Sequence, residues 1–175
     1  VYNSKDSCVT MYTDPILWNE GQQLLGEEIK IYLNDSTIDW AHIINQALTV
    51  EMKDSLHYNQ VSGKEIKAYF DSGEMRKVAN VLVVFYPQEE DSTMIGMNTS
   101  QTSLLTMYLK DRKMKRMVMS PKSDGVLYPM DQIPADKMRL PTFVWFDYIR
   151  PQNKDDIFEW RGKKAGETLR KSTRK

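Results

Sequence analysis

The residue types that carry most enzyme and metal chemistry are nearly missing from this sequence. There is one cysteine, Cys8, and there are two histidines, His42 and His57, in 175 residues. A lone cysteine excludes an internal disulfide, and no Cys/His spacing fits a metal centre. No glycine-rich phosphate loop, nucleophile elbow or H-E-x-x-H stretch occurs. No apolar run reaches the 18 residues that suggest a membrane-spanning helix. Net charge is missing too, since 24 Lys and Arg balance 24 Asp and Glu. The chain begins at Val1 with no basic-then-apolar leader, so we expect a mature or trimmed piece of a longer protein.

The balance of charge is uneven along the chain. Residues 161–175 hold seven Lys or Arg against Glu167, which leaves the body acidic. Such a terminal block reads as a solvated tail. An acidic body repels a phosphate backbone, so no nucleic-acid partner is expected. Asp35, Asp39 and His42 lie close in sequence, but a catalytic relay is defined by geometry that spacing does not supply. Glu27-Glu28 and Glu89-Glu90-Asp91 read as solvated carboxylates beside turns. The sequence is therefore read as non-enzymatic, with no cofactor and no metal.

What the sequence does contain is a short segment in three copies. Ile29-Lys30-Ile31-Tyr32-Leu33 recurs as Ile66-Lys67-Ala68-Tyr69-Phe70 and as Leu105-Thr106-Met107-Tyr108-Leu109. Each copy alternates apolar and polar residues, as a strand with one buried face does. Each is followed by a polar turn, Asn34-Asp35-Ser36, Asp71-Ser72-Gly73 or Lys110-Asp111-Arg112. A period of this length predicts stacked β-hairpins, each with a further strand after it. Residues Ile29, Ile31, Leu33, Ile66, Ala68, Phe70, Leu105, Met107 and Leu109 then share the inward face. That stripe is a packed core if two sheets close over it, and an apolar trough if they stay apart. Eleven methionines add flexible apolar side chains suited to variable ligands.

Two stretches test this reading. Trp40, Ile43, Ile44, Ala47, Leu48, Glu51 and Met52 follow helical spacing, so residues 40–53 alone would be read as an amphipathic helix. The matching stretch of the second copy, Val78 to Tyr86, is rich in β-branched residues. Equivalent copies share a conformation, so both are read as strands, as is the third, Met114 to Met119, up to Pro121. Five of the seven prolines fall between 121 and 151, so 121–141 reads as an irregular closure. Thr142 to Ile149 is dense in β-formers and reads as a last, capping strand. Cys8–Tyr12 and Ile16–Trp18 read as strands of a partial earlier unit.

Several flanking motifs occur in a fixed order. They are Asp14-Pro15-Ile16-Leu17-Trp18-Asn19, Leu25-Gly26-Glu27, Tyr58-Asn59-Gln60-Val61-Ser62-Gly63, Ile95-Gly96-Met97-Asn98, Leu127-Tyr128-Pro129 and Arg150-Pro151. With the repeat, they resemble the OstA-like family, relatives of the periplasmic lipopolysaccharide-transport proteins LptA and the N-terminal part of LptD, most closely its Bacteroidetes type. Thr102 departs from the pattern, standing where Gly26 and Gly63 stand in the earlier copies.

The resemblance implies an all-β fold of stacked hairpin repeats forming a twisted, partly open jelly roll over residues 1–151, with 152–175 as a basic tail. It implies a periplasmic, non-catalytic module that holds lipopolysaccharide acyl chains along the nine inward residues. Its implied partners are lipopolysaccharide, other transport proteins paired through edge strands, and further copies joined end to end. The alternative is a β-scaffold with a filled core that mediates protein–protein contact in the cell envelope and binds no lipid.

Overall fold

The computed structural model describes residues 1–19, 21–35, 37–70, 74–88, 91, 93–110, 113–153, 155–156 and 161–162, with the side chains of 74–80, 109–110 and 113 left aside. Most of the basic tail, the Asp71-Ser72-Gly73 turn, and Ser36, Asp111 and Arg112 of the other two turns lie outside the described residues. The fold is all-β. Its strands are β1 (Tyr2–Asn3), β2 (Cys8–Tyr12), β3 (Ile16–Asn19), β4 (Gln22–Leu25), β5 (Glu28–Asn34), β6 (Thr37–Met52), β7 (Tyr58–Tyr69), β8 (Glu74–Phe85), β9 (Gly96–Lys110) and β10 (Lys113–Pro129). They form one antiparallel sheet in the order β1-β2-β5-β6-β7-β8-β9-β10, with β4 also on β6 and β3 outside β4. The sheet does not close, since β10 ends the order beside β9.

A single line of irregularities crosses the sheet. The pairing shifts between Ile44 and Ala47 in β6, between Ser62 and Glu65 in β7, between Val78 and Val81 in β8, and between Ser120 and Ser123 in β10. At the same level Gly26 and Glu27 separate β4 from β5, which pair with β6 on either side of its shift. Asn45 and Gln46 hold left-handed φ of 56° and 47° at this line. The Glu27 carboxylate fixes them, accepting from Asn45 Nδ2 at 3.2 Å and Gln46 Nε2 at 2.6 Å. Bulges bend a strand and increase its twist. Aligned from strand to strand, they fold the sheet over on itself.

The largest core cluster sits inside that fold. It joins Ile29, Ile31, Ala41, Ile43, Ile66, Leu105 and Met107 from one side of the line to Leu24, Ala47, Val61, Val81 and Val83 at or beyond it. Two smaller clusters lie on the opposite face of the second half. One gathers Leu25, Leu48, Val50 and Phe146, and the other Val84, Tyr86 and Met97.

Residues 130–150 cover that opposite face as an irregular strap containing three short 3-10 turns, Met130–Gln132, Ala135–Lys137 and Asp147–Ile149. The expected capping strand over 142–149 is therefore corrected. Phe143 to Phe146 pack as single anchors onto Trp18, Tyr58 and Leu25, across the face of the sheet and not along a strand edge. The irregular closure also starts later than expected. Pro121 and Pro129 belong to β10, where an edge strand at a bulge tolerates a residue without an N–H.

Residues 40–52 are strand, as the comparison of copies indicated, and Lys53 begins the turn that follows. Their helical spacing has a cause in the bend. Ala41 and Ile43 face the inner cluster, two bulge residues intervene, and Ala47 resumes the inner face. Beyond the bend, inner cluster and strap bury both faces, so Ala47 to Val50 is continuously buried. A phase step followed by a two-sided apolar run imitates a 3.6-residue period.

Candidate functional site: an apolar fold and its aromatic outer face

The register aligns the repeated copies in rows. Val9, Ile31, Ala41, Ala68, Met75, Met107 and Met117 are successive cross-strand partners. The next row in backbone register runs Met11, Ile29, Ile43, Ile66, Lys77, Leu105 and Met119. Ile29, Ile31, Ile66, Ala68, Leu105 and Met107 are all buried. Ile29, Ile31, Ile66, Leu105 and Met107 belong to one cluster, and partly buried Leu33 and Phe70 pack against it. Leu109 pairs with Met114 in backbone register, but its side chain lies outside the described set.

The repeat cores supply only alternate strands of this surface. Ala41 and Ile43 of β6, with Leu24, Ala47, Val61, Val81 and Val83, were not picked out from the sequence, although they complete the cluster. The alternation Ala41/Ile43 was a usable signal. The second wall had none, because which face of a strand lies inside changes meaning at the bend.

The outer face carries a different chemistry. Tyr32, Trp40 and Tyr69 form a cross-strand row, with Trp40 stacked 4.0 Å from Tyr32 and 5.8 Å from Tyr69 between ring centroids. The Lys67 ammonium lies 5.9 Å from the Trp40 ring centroid. Beside this row Lys30 pairs with Glu28 at 3.3 Å, and the hydrogen bond and charge of Glu28 hold its ammonium above the usual range. His42 meets Glu65 at 2.5 Å in the middle of the sheet, so Asp35, Asp39 and His42 form no relay. These groups satisfy one another, as cross-strand pairs do in a stable sheet.

Two buried glutamines fasten the strap. Gln23 Nε2 donates to the Val144 carbonyl at 2.9 Å, and Gln60 Nε2 donates to the Met138 carbonyl at 2.8 Å. Leu140 N–H donates back to Gln60 Oε1 at 2.8 Å. Under the strap, burial pushes the Tyr86 hydroxyl up, and that hydroxyl has no hydrogen-bond partner among the described residues. Thr102 has a role of its own at the bend, its hydroxyl donating to the Lys122 carbonyl at 3.1 Å. Among the described residues no group of three or more His, Cys, Asp or Glu could hold a metal, and no helix is long and apolar enough to cross a membrane.

An open antiparallel sheet folded along a line of bulges defines the chain as a twisted jelly roll of the LptA-like kind. Among solved structures it is similar to LptH of Pseudomonas aeruginosa, the LptA-homologous periplasmic component of that organism's lipopolysaccharide transport device. The TM-score is 0.56 at 11% identity, covering 74% of this chain and 90% of that one. No family model and no curated protein matches the sequence. The likeness supports the fold, and at this identity it does not extend to the narrower OstA-like, Bacteroidetes-type resemblance.

Proposed function

We propose that this chain is a periplasmic lipopolysaccharide-transport module whose inner face shields acyl chains. Residues 1–151 form the carrier in this reading, and 152–175 form its tail. The mechanism is passive and non-enzymatic. The two walls supply apolar contact, the headgroup stays outside, and edge strands join neighbouring transport proteins or further copies by main-chain hydrogen bonds. The observation that carries the reading is the alignment of Ile31, Ala68 and Met107 on one inward row of an unclosed sheet. Its likeness in fold to a periplasmic transport component agrees with it.

The test is photocrosslinking from positions 31, 68 and 107, with the outward position 69 as control. Capture of lipopolysaccharide by the inward positions and not by position 69 is expected. Failure of all three removes the lipid reading. The rival reading, a lipid-free scaffold, is favoured by one observation. Side chains from both walls already pack together in a single buried cluster. A lipid must therefore spread the walls, whereas a scaffold leaves them in contact.

A further inference from the structure

We propose that the free edge strand β10 is a recognition site for the phosphorylated headgroup of an anionic lipid. The inference rests on the lipid reading above and adds where, and by what chemistry, the headgroup is held. β10 ends the strand order beside β9. Its sequence interleaves methionine with cations, as Lys113-Met114-Lys115-Arg116-Met117-Val118-Met119. Met114, Met117 and Met119 pack, partly buried, against the inner cluster, so the apolar wall continues to this edge. Arg116 stands opposite Tyr108 on the outer face, its guanidinium carbon 5.6 Å from the ring centroid. Lys115 is the extra residue of the register shift between Met114 and Arg116, and Lys122 falls within the shift between Ser120 and Ser123. A bulge releases its extra residue from the ladder and re-aims the side chain.

Lys115, Arg116 and Lys122 are all exposed, and none has an ion-pair partner among the described residues. Asp124 is the one carboxylate in β10. The strands at the other edges, β1 and β3, contain no charged residue. Of the edge strands β1, β3 and β10, only β10 therefore combines cations that have no ion pair among the described residues with methionines packed on the inner cluster. That pairing of chemistries matches an amphiphile, with chains on the methionines and phosphate oxygens on the cations. Charged edges also discourage unwanted strand pairing, and the experiment separates that role from this one.

The full chain is titrated with bisphosphorylated lipid A in detergent micelles, and with the same lipid after removal of its phosphates. The triple variant Lys115→Gln/Arg116→Gln/Lys122→Gln is measured beside it, with unchanged urea unfolding as the control for folding. The phosphorylated lipid should bind on the order of tenfold or more tighter to the wild type, with that preference lost in the variant. Retention of the preference by the variant overturns the proposal. So does equal binding of the two lipids, and so does displacement by excess inorganic phosphate, which would mark a general anion site. Crosslinking from position 31 tells the two readings apart. Capture of both lipids without phosphate preference removes only the headgroup site, and capture of neither removes the lipid reading with it.

Discussion

Gln23 Oε1 accepts the backbone N–H of Phe146 at 2.7 Å, across 123 residues of sequence. The same side chain donates to Val144, so one buried amide supplies the strap with the acceptor and donor that a neighbouring strand would offer. The strap can therefore lie on the sheet without joining it.

Replacing Gln23 by Leu should deprive the Val144 carbonyl and the Phe146 N–H of the two hydrogen bonds this amide makes under apolar cover. Each such group costs about 1–3 kcal/mol, so a loss of roughly 2–4 kcal/mol in urea unfolding is expected. The edge-on contact of Trp18 with Trp145, at 5.2 Å, makes tryptophan fluorescence report release of the strap. An unchanged midpoint and spectrum would mean that apolar anchors alone hold it.

Gly26 marks a close approach at the bend. A Cβ there would lie 2.5 Å from Ile43 Cγ2 and 3.1 Å from the Ile44 carbonyl oxygen. Ile43 is buried and cannot move away freely. Gly26→Ala should destabilise by about 1–3 kcal/mol, the usual cost of overpacking. Equilibrium denaturation with an unaltered midpoint would contradict this crowding.

Acid should loosen the β6–β7 connection. Burial alone would raise the Asp54 carboxyl, but the His57 ring and the N–H groups of Leu56 and His57 outweigh burial and hold it below its ordinary 3.8. A depressed carboxyl contributes stability above its unfolded value, and that contribution is lost as pH falls through the folded value. The side chain is 40% exposed, so the effect is small. Denaturant midpoints from pH 6 down to pH 2.5 should fall less steeply for Asp54→Asn than for the wild type. Parallel curves would show that this carboxylate is uncoupled from folding.

Strand identity was legible where alternation ran unbroken, as in Glu28–Asn34, and where a second copy settled an ambiguous one, as in Thr37–Met52. Two errors share one physical origin. Pro121 suggested a stop, and Thr142 to Ile149 suggested a strand, because composition records what a segment tolerates and not what lies beside it. β10 keeps its proline because that edge has only one neighbour to satisfy. Residues 142–149 stay irregular because they lie across the face of the sheet and not along an edge, so two glutamines supply main-chain partners instead. Gln23 and Gln60 looked like ordinary polar positions, since their partners in the strap lie 78 to 123 residues away.

The line of bulges has a mechanical consequence. Both walls are made from the same long strands, so they are covalently continuous and cannot drift apart as two domains would. Their ladders resist shear along and across the strands. At the bulges the ladder is interrupted, and the resistance to bending is lowest there. Widening the interior is then a change of angle shared in series by neighbouring strands, each rotating a little. A compliance spread this way would let the two walls part by small steps while the pairing within each wall stays intact.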